Sequence, residues 1–277
     1  MTKTDSDDLI KQEKEKEAVE EAAALSPRLI FESIRRNGEE ELERPMTALW
    51  FSGFAAGLLI SFSVLAEAVL RAHLPEAGWR HIVENFGYSM GFVLVIMGRM
   101  QLFTENTITT VVPVMTDPCA HTIGRTARLW SMVLVANVIG AFFAATFLAH
   151  GGVLEPPVAA AFADISAHAT GMPPLEGFMR GIPAGILIAA IVWMLPSAKR
   201  NEIGLIVFFT WLIALGDFTH VIAGSVEMAY LAVLGQLGFI PAVFGFFLPV
   251  LLGNIVGGTA IFTVLTYAQV MPEVEET

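Results

Sequence analysis

Cysteine and charge are both scarce in this sequence. Of 277 residues only one is cysteine, Cys119, and 16% are charged, against about 25% in an average soluble domain. A single cysteine excludes an intrachain disulfide and a metal cluster held by several cysteines. The enzyme signature HExxH is also missing, and one histidine near one aspartate is too little for a metal site. We therefore expect neither an enzyme nor a bound metal or cofactor.

The charges that are present lie largely in a tail. Residues 1–44 hold about half of the acidic and half of the basic residues, and they lack the apolar core of a signal peptide. The stretch KQEKEKEAVEEAAAL predicts a solvated helix, either a plain leader or a docking arm. The net charge of −11 gives no reason to expect nucleic acid as a partner. The sequence thus divides into a partly helical cytoplasmic tail (1–44), a membrane domain (45–270) and an acidic cytoplasmic C-terminal tail (271–277).

Long apolar runs fill the middle of the chain. The composition is 55% apolar with a mean hydropathy of +0.63, and a bilayer core of about 30 Å needs about 20 apolar residues per helix. Basic residues follow the second and fourth runs and are missing from 151–175, which places both termini in the cytoplasm, although Arg71 and Arg80 count against this. We expect an all-α integral membrane protein with six spans, one of which, 203–215, is too short to cross alone. The runs are 46–70, 85–102, 129–150, 176–195, 203–215 and 242–268.

Short segments recur in the same order in the two halves of the membrane domain. Each half contains three runs, an odd number, so the halves must have opposite orientations, as in many transporters. This predicts two inverted three-helix repeats. The matching pairs are GFAAGLLI (53–60) with GIPAGILI (181–188), LFTEN (102–106) with DFTHV (217–221), and ANVIGA (136–141) with GNIVGG (253–258).

The middle run of each half is interrupted by polar residues. The first contains Thr104 and Glu105, and the second contains Asp217 and His220 between two glycines. Non-helical backbone at membrane depth is tolerated only where protein buries it or a cavity wets it. Two interrupted helices at matching positions indicate a substrate site, and the N-terminus of a half-helix carries about half a positive elementary charge. The pattern predicts broken second and fifth helices that can hold an anion.

Four motifs together resemble the formate–nitrite transporter family. The resemblance extends from about Met46 to Tyr267, which is essentially the whole membrane domain. The tail lies outside it. The motifs are LFTENT (102–107), GILIAAIVWM (185–194), DFTHVIAG (217–224) and PVLLGNIVGG (249–258).

This resemblance implies an aquaporin-like fold, a homopentamer with one pore per subunit, and a place in the plasma membrane (the inner membrane of a bacterium). Family members pass small monovalent weak-acid anions such as formate or nitrite, some with proton coupling. By analogy Thr104 and His220 face each other in the pore, and Asn254 faces the pore or anchors a loop. The analogy places Leu102, Phe92 and Tyr88 at one hydrophobic constriction and Ile188 and Ile213 at the other.

Several residues depart from the family pattern. Ala169 stands where relatives carry a lysine near the pore entrance, Gly224 stands where many carry asparagine, and Glu105 replaces a small polar residue. Further carboxyl groups, Glu67 and Glu227, lie at membrane depth and are expected to face the subunit interior or an interface. These changes favour an alternative function, a pore for a neutral small solute or for a cation.

Three of the polar residues have two interpretations each. His220 either acts on an anion in the pore, by giving it a proton or only a hydrogen bond, or it hydrogen-bonds the broken backbone and never titrates; an ordinary imidazole titrates near neutral pH. Asp217 either orients the imidazole or caps the half-helix that follows. Glu105 either pairs with Arg99 or caps a half-helix that begins near Asn106. A scaffold or sensor that works through its tail is a further alternative to a pore.

Overall fold

The computed structural model describes residues 25–275, and every regular element in that range is a helix. The all-α prediction is therefore confirmed for this range. Most of the charged stretch at 11–25 lies outside the described residues, as do residues 276 and 277 of the acidic C-terminal tail. The longer helices are α1 Pro27–Glu43, α2 Met46–His73, α3 Ser89–Met97, α4 Phe103–Thr109, α5 Ala120–His150, α6 Pro156–Thr170, α7 Pro174–Ala198, α8 Glu202–Leu215, α9 Val221–Val233 and α10 Pro241–Pro272. Short helical segments are Arg80–Glu84, Asn85–Tyr88, Val111–Thr116 and Lys199–Asn201.

Four helices, α2, α5, α7 and α10, are long and apolar enough to cross a membrane. They range from 25 to 32 residues, and an α-helix that rises 1.5 Å per residue needs about 20 to cross a bilayer core. In α10, wider helical turns occupy Pro241–Phe247 and Val256–Thr263. The chain is therefore a membrane protein with several spanning helices.

Two pairs of shorter helices, α3 with α4 and α8 with α9, account for the interrupted runs. The chain turns between the members of each pair at a residue with the same unusual backbone, Arg99 in the first break and Asp217 in the second, each with φ of 51°. Few residues other than glycine adopt this left-handed region, so the two breaks share an uncommon backbone conformation. The polar interruptions thus correspond to real breaks in the helices.

A helix, α6, occupies a region that the sequence led us to treat as a loop. It spans Pro156–Thr170 and begins with two prolines, which suit the first turn of a helix because they need no hydrogen-bond acceptor. Apolar residues at helical spacing, Val158, Phe162 and Ile165, are buried, and the ring of Phe162 packs at a tilt against Tyr230 of α9 at a centroid distance of 4.4 Å. Residues 151–175 entered the sequence analysis only through their lack of basic residues, so the helical spacing of their apolar residues was missed.

The last part of the tail, α1, packs on the membrane domain. Ser26 caps its first turn by accepting a hydrogen bond from the backbone N–H of Leu29. Ile30, Phe31 and Ile34 are buried in an apolar cluster that also contains Val192 of α7. Residues 27–43 are therefore a docked helix with one apolar face.

Glycines allow the long helices to approach closely. A Cβ atom at Gly57 of α2 would overlap the carbonyl group of Asn137 in α5. In the same way, a Cβ at Gly185 of α7 would overlap the carbonyl group of Asn254 in α10. Small residues at such crossings bring the backbones together, which is how helices associate tightly in lipid. Both crossings place an asparagine beside a helix break.

Candidate functional site

The two breaks meet at a hydrogen bond between Thr104 and His220. The hydroxyl oxygen of Thr104 lies 2.7 Å from Nε2 of His220, and both side chains are buried. Leu102 precedes α4 and His220 precedes α9 with nearly the same extended backbone, φ −103° and ψ 125° against φ −112° and ψ 124°. The beginnings of the two half-helices therefore come together in the middle of the chain's fold.

Two asparagines hold the breaks in place. The side chain of Asn137 accepts a hydrogen bond from Phe103 N and donates to the carbonyl oxygens of Gly53 and Gln101, at 2.7 to 2.9 Å. These three bonds use both N–H donors of the side-chain amide and one of the two lone pairs on its oxygen. Irregular backbone inside a membrane protein needs such partners, because lipid offers no hydrogen bonds to its polar groups.

Asn254 makes the same bonds in the second half. It accepts from Val221 N and donates to the carbonyl oxygens of Gly181 and Thr219, at 2.8 to 2.9 Å. Of the two roles considered for Asn254, these bonds support loop anchoring. Sequence analysis did not single out Asn137, although its position in ANVIGA matches that of Asn254 in GNIVGG.

The hydrogen bonds also fix how the two breaks correspond. Phe103 and Val221 donate to equivalent asparagines, so Val221 is the counterpart of Phe103. Matching LFTEN to DFTHV instead pairs Phe103 with Phe218, which is wrong by three residues. The shared letters F and T misled that comparison, because backbone geometry, not side-chain identity, is what the two breaks have in common.

The ring of His220 is held on both sides. Its Nδ1 accepts a hydrogen bond from the backbone N–H of Ala223 at 3.2 Å, so the imidazole itself caps α9. Since Nδ1 is an acceptor, the neutral ring carries its proton on Nε2, the atom that faces Thr104. The ring of Phe92 meets the imidazole edge to face at a centroid distance of 5.0 Å. His220 is thus a rigid hydrogen-bond donor directed at the meeting point of the breaks.

A cavity of about 280 Å³ opens on one side of this pair. His220 and Thr219 lie at its base, and α6 contributes His168 and Ala169 to its wall. Further polar groups in the wall are Glu67 and Arg71 of α2, Tyr88, Asp217 and Glu227. We call this space the outer cavity, after the side that the topology predicted from the sequence assigns to it.

A second cavity, of about 580 Å³, lies at the other end of α3 and α7. Gln101, Glu105 and Asn106 line it, and so does the tail helix α1. Glu41 of α1 accepts a hydrogen bond of 2.6 Å from the side chain of Gln101. We call this space the inner cavity, and the tail helix forms part of its wall.

Apolar side chains separate the two cavities. Four of the five residues expected at constrictions are at most 1% exposed and line neither cavity: Phe92, Leu102, Ile188 and Ile213. The fifth, Tyr88, lies in the wall of the outer cavity, where its ring packs on Phe92 at 5.3 Å. The structure thus brings Phe92, and Tyr88 behind it, next to the Thr104–His220 pair.

Comparison with known proteins identifies this arrangement. The profile of the formate/nitrite transporter family matches residues 28–268. Inner membrane protein YfdC of Escherichia coli (strain K12) is 43% identical over 241 residues, covering 87% of this chain and 78% of that protein. The chain belongs to the formate/nitrite transporter family. The resemblance inferred from the four sequence motifs is confirmed.

Solved structures of this family share the fold. A pentameric formate channel with formate bound matches with a TM-score of 0.69 at 21% identity, covering 82% of this chain and 98% of that chain. An FNT family ion channel matches with a TM-score of 0.75 at 17% identity, covering 87% and 98% of the two chains. Identities this low establish the fold and nothing finer.

Asp217 does not contact the imidazole of His220 in this member of the formate/nitrite transporter family. Its Oδ1 lies 3.1 Å from His168 Nε2, and its Oδ2 lies 4.0 Å from Arg180. The cap of α9 is His220 itself. Neither role considered for Asp217 from the sequence is therefore the one that the structure gives it. Asp217 instead connects the second break to α6 and α7.

Glu105 has neither of the two roles that the sequence suggested for it. The half-helix begins at Phe103, so Glu105 lies in its first turn and does not cap a helix starting near Asn106. Within the described residues it forms no ion pair with Arg99, and its Oε1 is buried without a hydrogen-bond partner. Glu105 thus directs an unpartnered carboxyl oxygen toward the region of the inner cavity.

The structure shows the surroundings of Ala169 and Gly224, two positions at which the sequence departs from the family pattern. Ala169 lines the outer cavity, where relatives carry a lysine, and the neighbouring polar group is the pair formed by His168 and Asp217. At Gly224 a Cβ would lie 2.5 Å from the ring of Phe246. Phe246 therefore fills the place that an asparagine side chain would take.

Proposed function

We propose that this protein is a membrane channel or transporter for a small monovalent weak-acid anion such as formate or nitrite. The observation that carries the proposal is the buried Thr104–His220 pair, 2.7 Å apart, between two cavities. Apolar residues on both sides of the pair would strip water from a permeant, and the few polar groups left would then select it. A bound formate in the solved pentameric channel agrees with a permeant of this class.

His220 contributes a hydrogen bond in this proposal. A neutral imidazole is a very weak acid, so it gives up a proton readily only after binding a second one on Nδ1. A second proton there would face the N–H of Ala223, which already occupies Nδ1 at 3.2 Å. This clash argues against proton transfer from His220 itself and favours a donor, Nε2–H, that holds the permeant. The positive end of α9 adds an attraction for negative charge.

The proposed architecture has six spans in two inverted halves, with an aquaporin-like pore in each subunit. The repeated asparagine bonds at the two breaks support the repeat, and the odd number of spans in each half supports the inversion. Both termini would lie in the cytoplasm of a bacterial inner membrane, as the distribution of basic residues indicates.

We further propose that the subunits assemble into a homopentamer. Large apolar side chains such as Phe143 and Phe147 of α5 are 60% and 57% exposed in the single subunit. A lipid bilayer and neighbouring subunits would together cover such a surface. The solved channel that shares this fold is itself pentameric.

A pore for a neutral solute is the second candidate. Arg71 and Arg180 in and near the outer cavity both have acidic partners, Glu84 at 2.7 Å and Glu176 at 2.8 Å. Together with Ala169 in place of lysine, this leaves the entrance with little net positive charge. A neutral solute would cross without dependence on membrane potential or on a pH gradient, whereas an anion would respond to both.

Proteoliposomes loaded with a pH-sensitive dye test the proposal. Formate, nitrite and acetate are added outside in turn, and we expect an anion-dependent pH change that exceeds that of empty liposomes. His220→Ala should slow it, while His121→Ala, a substitution at an exposed histidine on α5, should not. Equal rates in protein-containing and empty liposomes for every anion would rule out the anion pore, and light-scattering measurements with urea and glycerol would then test the neutral one.

A further inference from the structure

Glu227 is a buried carboxyl group without a partner. It lies on α9, its side chain lines the outer cavity, and the residue is only 7% exposed. Among the described residues it has no hydrogen bond and no ion pair, although its carboxyl oxygens reach the cavity. A buried, unpaired carboxylate is costly, and at membrane depth it marks a functional position by default.

Glu67 lines the same cavity and adds a second buried carboxyl group to its wall. It is 6% exposed, and the two carboxyl groups repel each other. The nearest cation, Arg71, is 3.9 Å from Glu67 but only 2.7 Å from Glu84, so most of its charge is already neutralised. The other titratable or charged groups in the cavity wall are Tyr88, His81, His168, Asp217 and His220.

These surroundings favour a proton over a metal cation. Oxygen-ligated cations take six or more ligands, and within the described residues no three of the side chains His, Cys, Asp and Glu converge on a point. A proton needs only one carboxyl oxygen. Two carboxyl groups that line one cavity repel each other when both are ionised, which favours a proton on one of them.

The position of Glu227 suits transfer to a permeant on its way in. It follows His220 by seven residues, which corresponds to about 10 Å along the axis of α9. An anion entering the outer cavity would therefore meet Glu227 before it reaches Thr104 and His220. Phe246, packed on Gly224 between the two positions, supplies an apolar surface on the way.

We propose that Glu227 protonates the weak-acid anion in the outer cavity, so that the neutral acid enters the narrow part of the pore. The O–H bond of the Glu227 carboxyl group breaks, a new O–H bond forms on the anion, and Glu227 remains as a carboxylate. Water in the outer cavity then returns a proton to Glu227 from the outside medium. This inference rests on the proposed anion pore and assigns its proton transfer to Glu227, while His220 only holds the permeant.

The test measures formate flux into dye-loaded proteoliposomes at external pH from 5 to 8. Above the pKa of formic acid, the concentration of the neutral acid in bulk water falls about tenfold per pH unit. We expect the wild-type flux to fall less steeply, because Glu227 supplies protons inside the cavity. In Glu227→Gln, which keeps the size and loses the proton, flux at pH 7 should drop at least about tenfold and follow the bulk acid.

Two further variants separate this role from damage to the fold. Glu227→Asp retains a carboxyl group and should restore the shallow pH dependence, even if the rate is lower. Glu76→Gln alters a carboxyl group that is 95% exposed and should behave like the wild type. An Asp variant as steep as the Gln variant would overturn the proton role and leave a structural one.

Different experimental results would contradict the proposed function and this inference. No formate-dependent pH change in the wild type would remove the anion pore itself. A clear wild-type flux together with an unchanged rate and pH profile in Glu227→Gln would leave the pore in place and overturn the role of Glu227.

Discussion

Asn137 and Asn254 make the same three hydrogen bonds in the two halves of the molecule. Each side chain binds the first N–H of a half-helix, the carbonyl group two residues earlier, and a glycine carbonyl on a neighbouring helix. Both residues are fully buried. The two breaks on which the proposed pore depends are therefore stabilised by one device used twice.

Replacing either asparagine should destabilise the protein. Asn137→Ala and Asn254→Ala each leave one N–H and two carbonyl groups buried without partners, which should cost about 2 to 4 kcal/mol. Thermal unfolding in detergent measures the loss, and the two variants should behave alike. Asn37→Ala, at an exposed position on α1, is the control and should change stability by less than about 0.5 kcal/mol. A small effect at either buried asparagine would show that water reaches that break.

The hydroxyl group of Thr104 should matter for flux. Thr104→Val keeps the shape of the side chain and removes the partner of His220 Nε2, at present 2.7 Å away. A buried N–H without an acceptor costs about 1 to 3 kcal/mol, so we expect formate flux in proteoliposomes to change by about tenfold or more. Thr104→Ser retains the hydroxyl group and should stay close to the wild type. Equal rates in the Val and Ser variants would contradict a role for this hydrogen bond.

Asp217 should be less important for flux than its place beside His220 in the sequence suggests. It contacts His168 and Arg180 from a position where its side chain is 37% exposed. Half-exposed ion pairs contribute at most about 1 kcal/mol, so Asp217→Asn should alter formate flux by no more than about fivefold. Flux assays beside His220→Ala make the comparison. A loss as large as that of His220→Ala would mean that Asp217 acts on the imidazole after all.

The stability of the tail helix should depend on pH through Glu32. Hydrogen bonds from Arg35, and then from Arg36, lower the pKa of Glu32 from 4.5 to about 2. A carboxyl group with a lowered pKa stabilises the folded state above its unfolded pKa, and this contribution is lost as pH falls from about 4.5 toward 2. Because the side chain is 35% exposed, solvent screening limits the effect to less than about 1 kcal/mol.

Hydrogen exchange of the α1 amides, corrected for intrinsic rates, measures this dependence. Protection should be constant between pH 7 and 5 and should decline below about pH 4.5. Glu32→Gln should lower protection at pH 7 and remove the decline. A decline that persists unchanged in that variant would assign the pH dependence to another carboxyl group.

The sequence by itself determined the membrane class, the family and the location of the breaks. Long apolar runs have no stable place in water, so composition is sufficient to predict membrane helices. The residues DFTHVIAG and LFTENT were sufficient for the family because polar groups are rare at membrane depth. The same pattern brought Thr104, His220 and the apolar residues around them into one hypothesis, and the structure places Thr104 and Phe92 in contact with His220.

Only the tertiary structure decided which atoms meet. The sequence could not separate Asp217 as a partner of His220 from Asp217 as a partner of His168, because that choice depends on how α6 packs across the cavity. It also could not align the two breaks correctly, since hydrogen bonds to the backbone leave no trace in side-chain identity. Whether Glu227 lacks a partner likewise depends on long-range packing, because its neighbours Glu67 and Arg71 come from a helix far away in the chain.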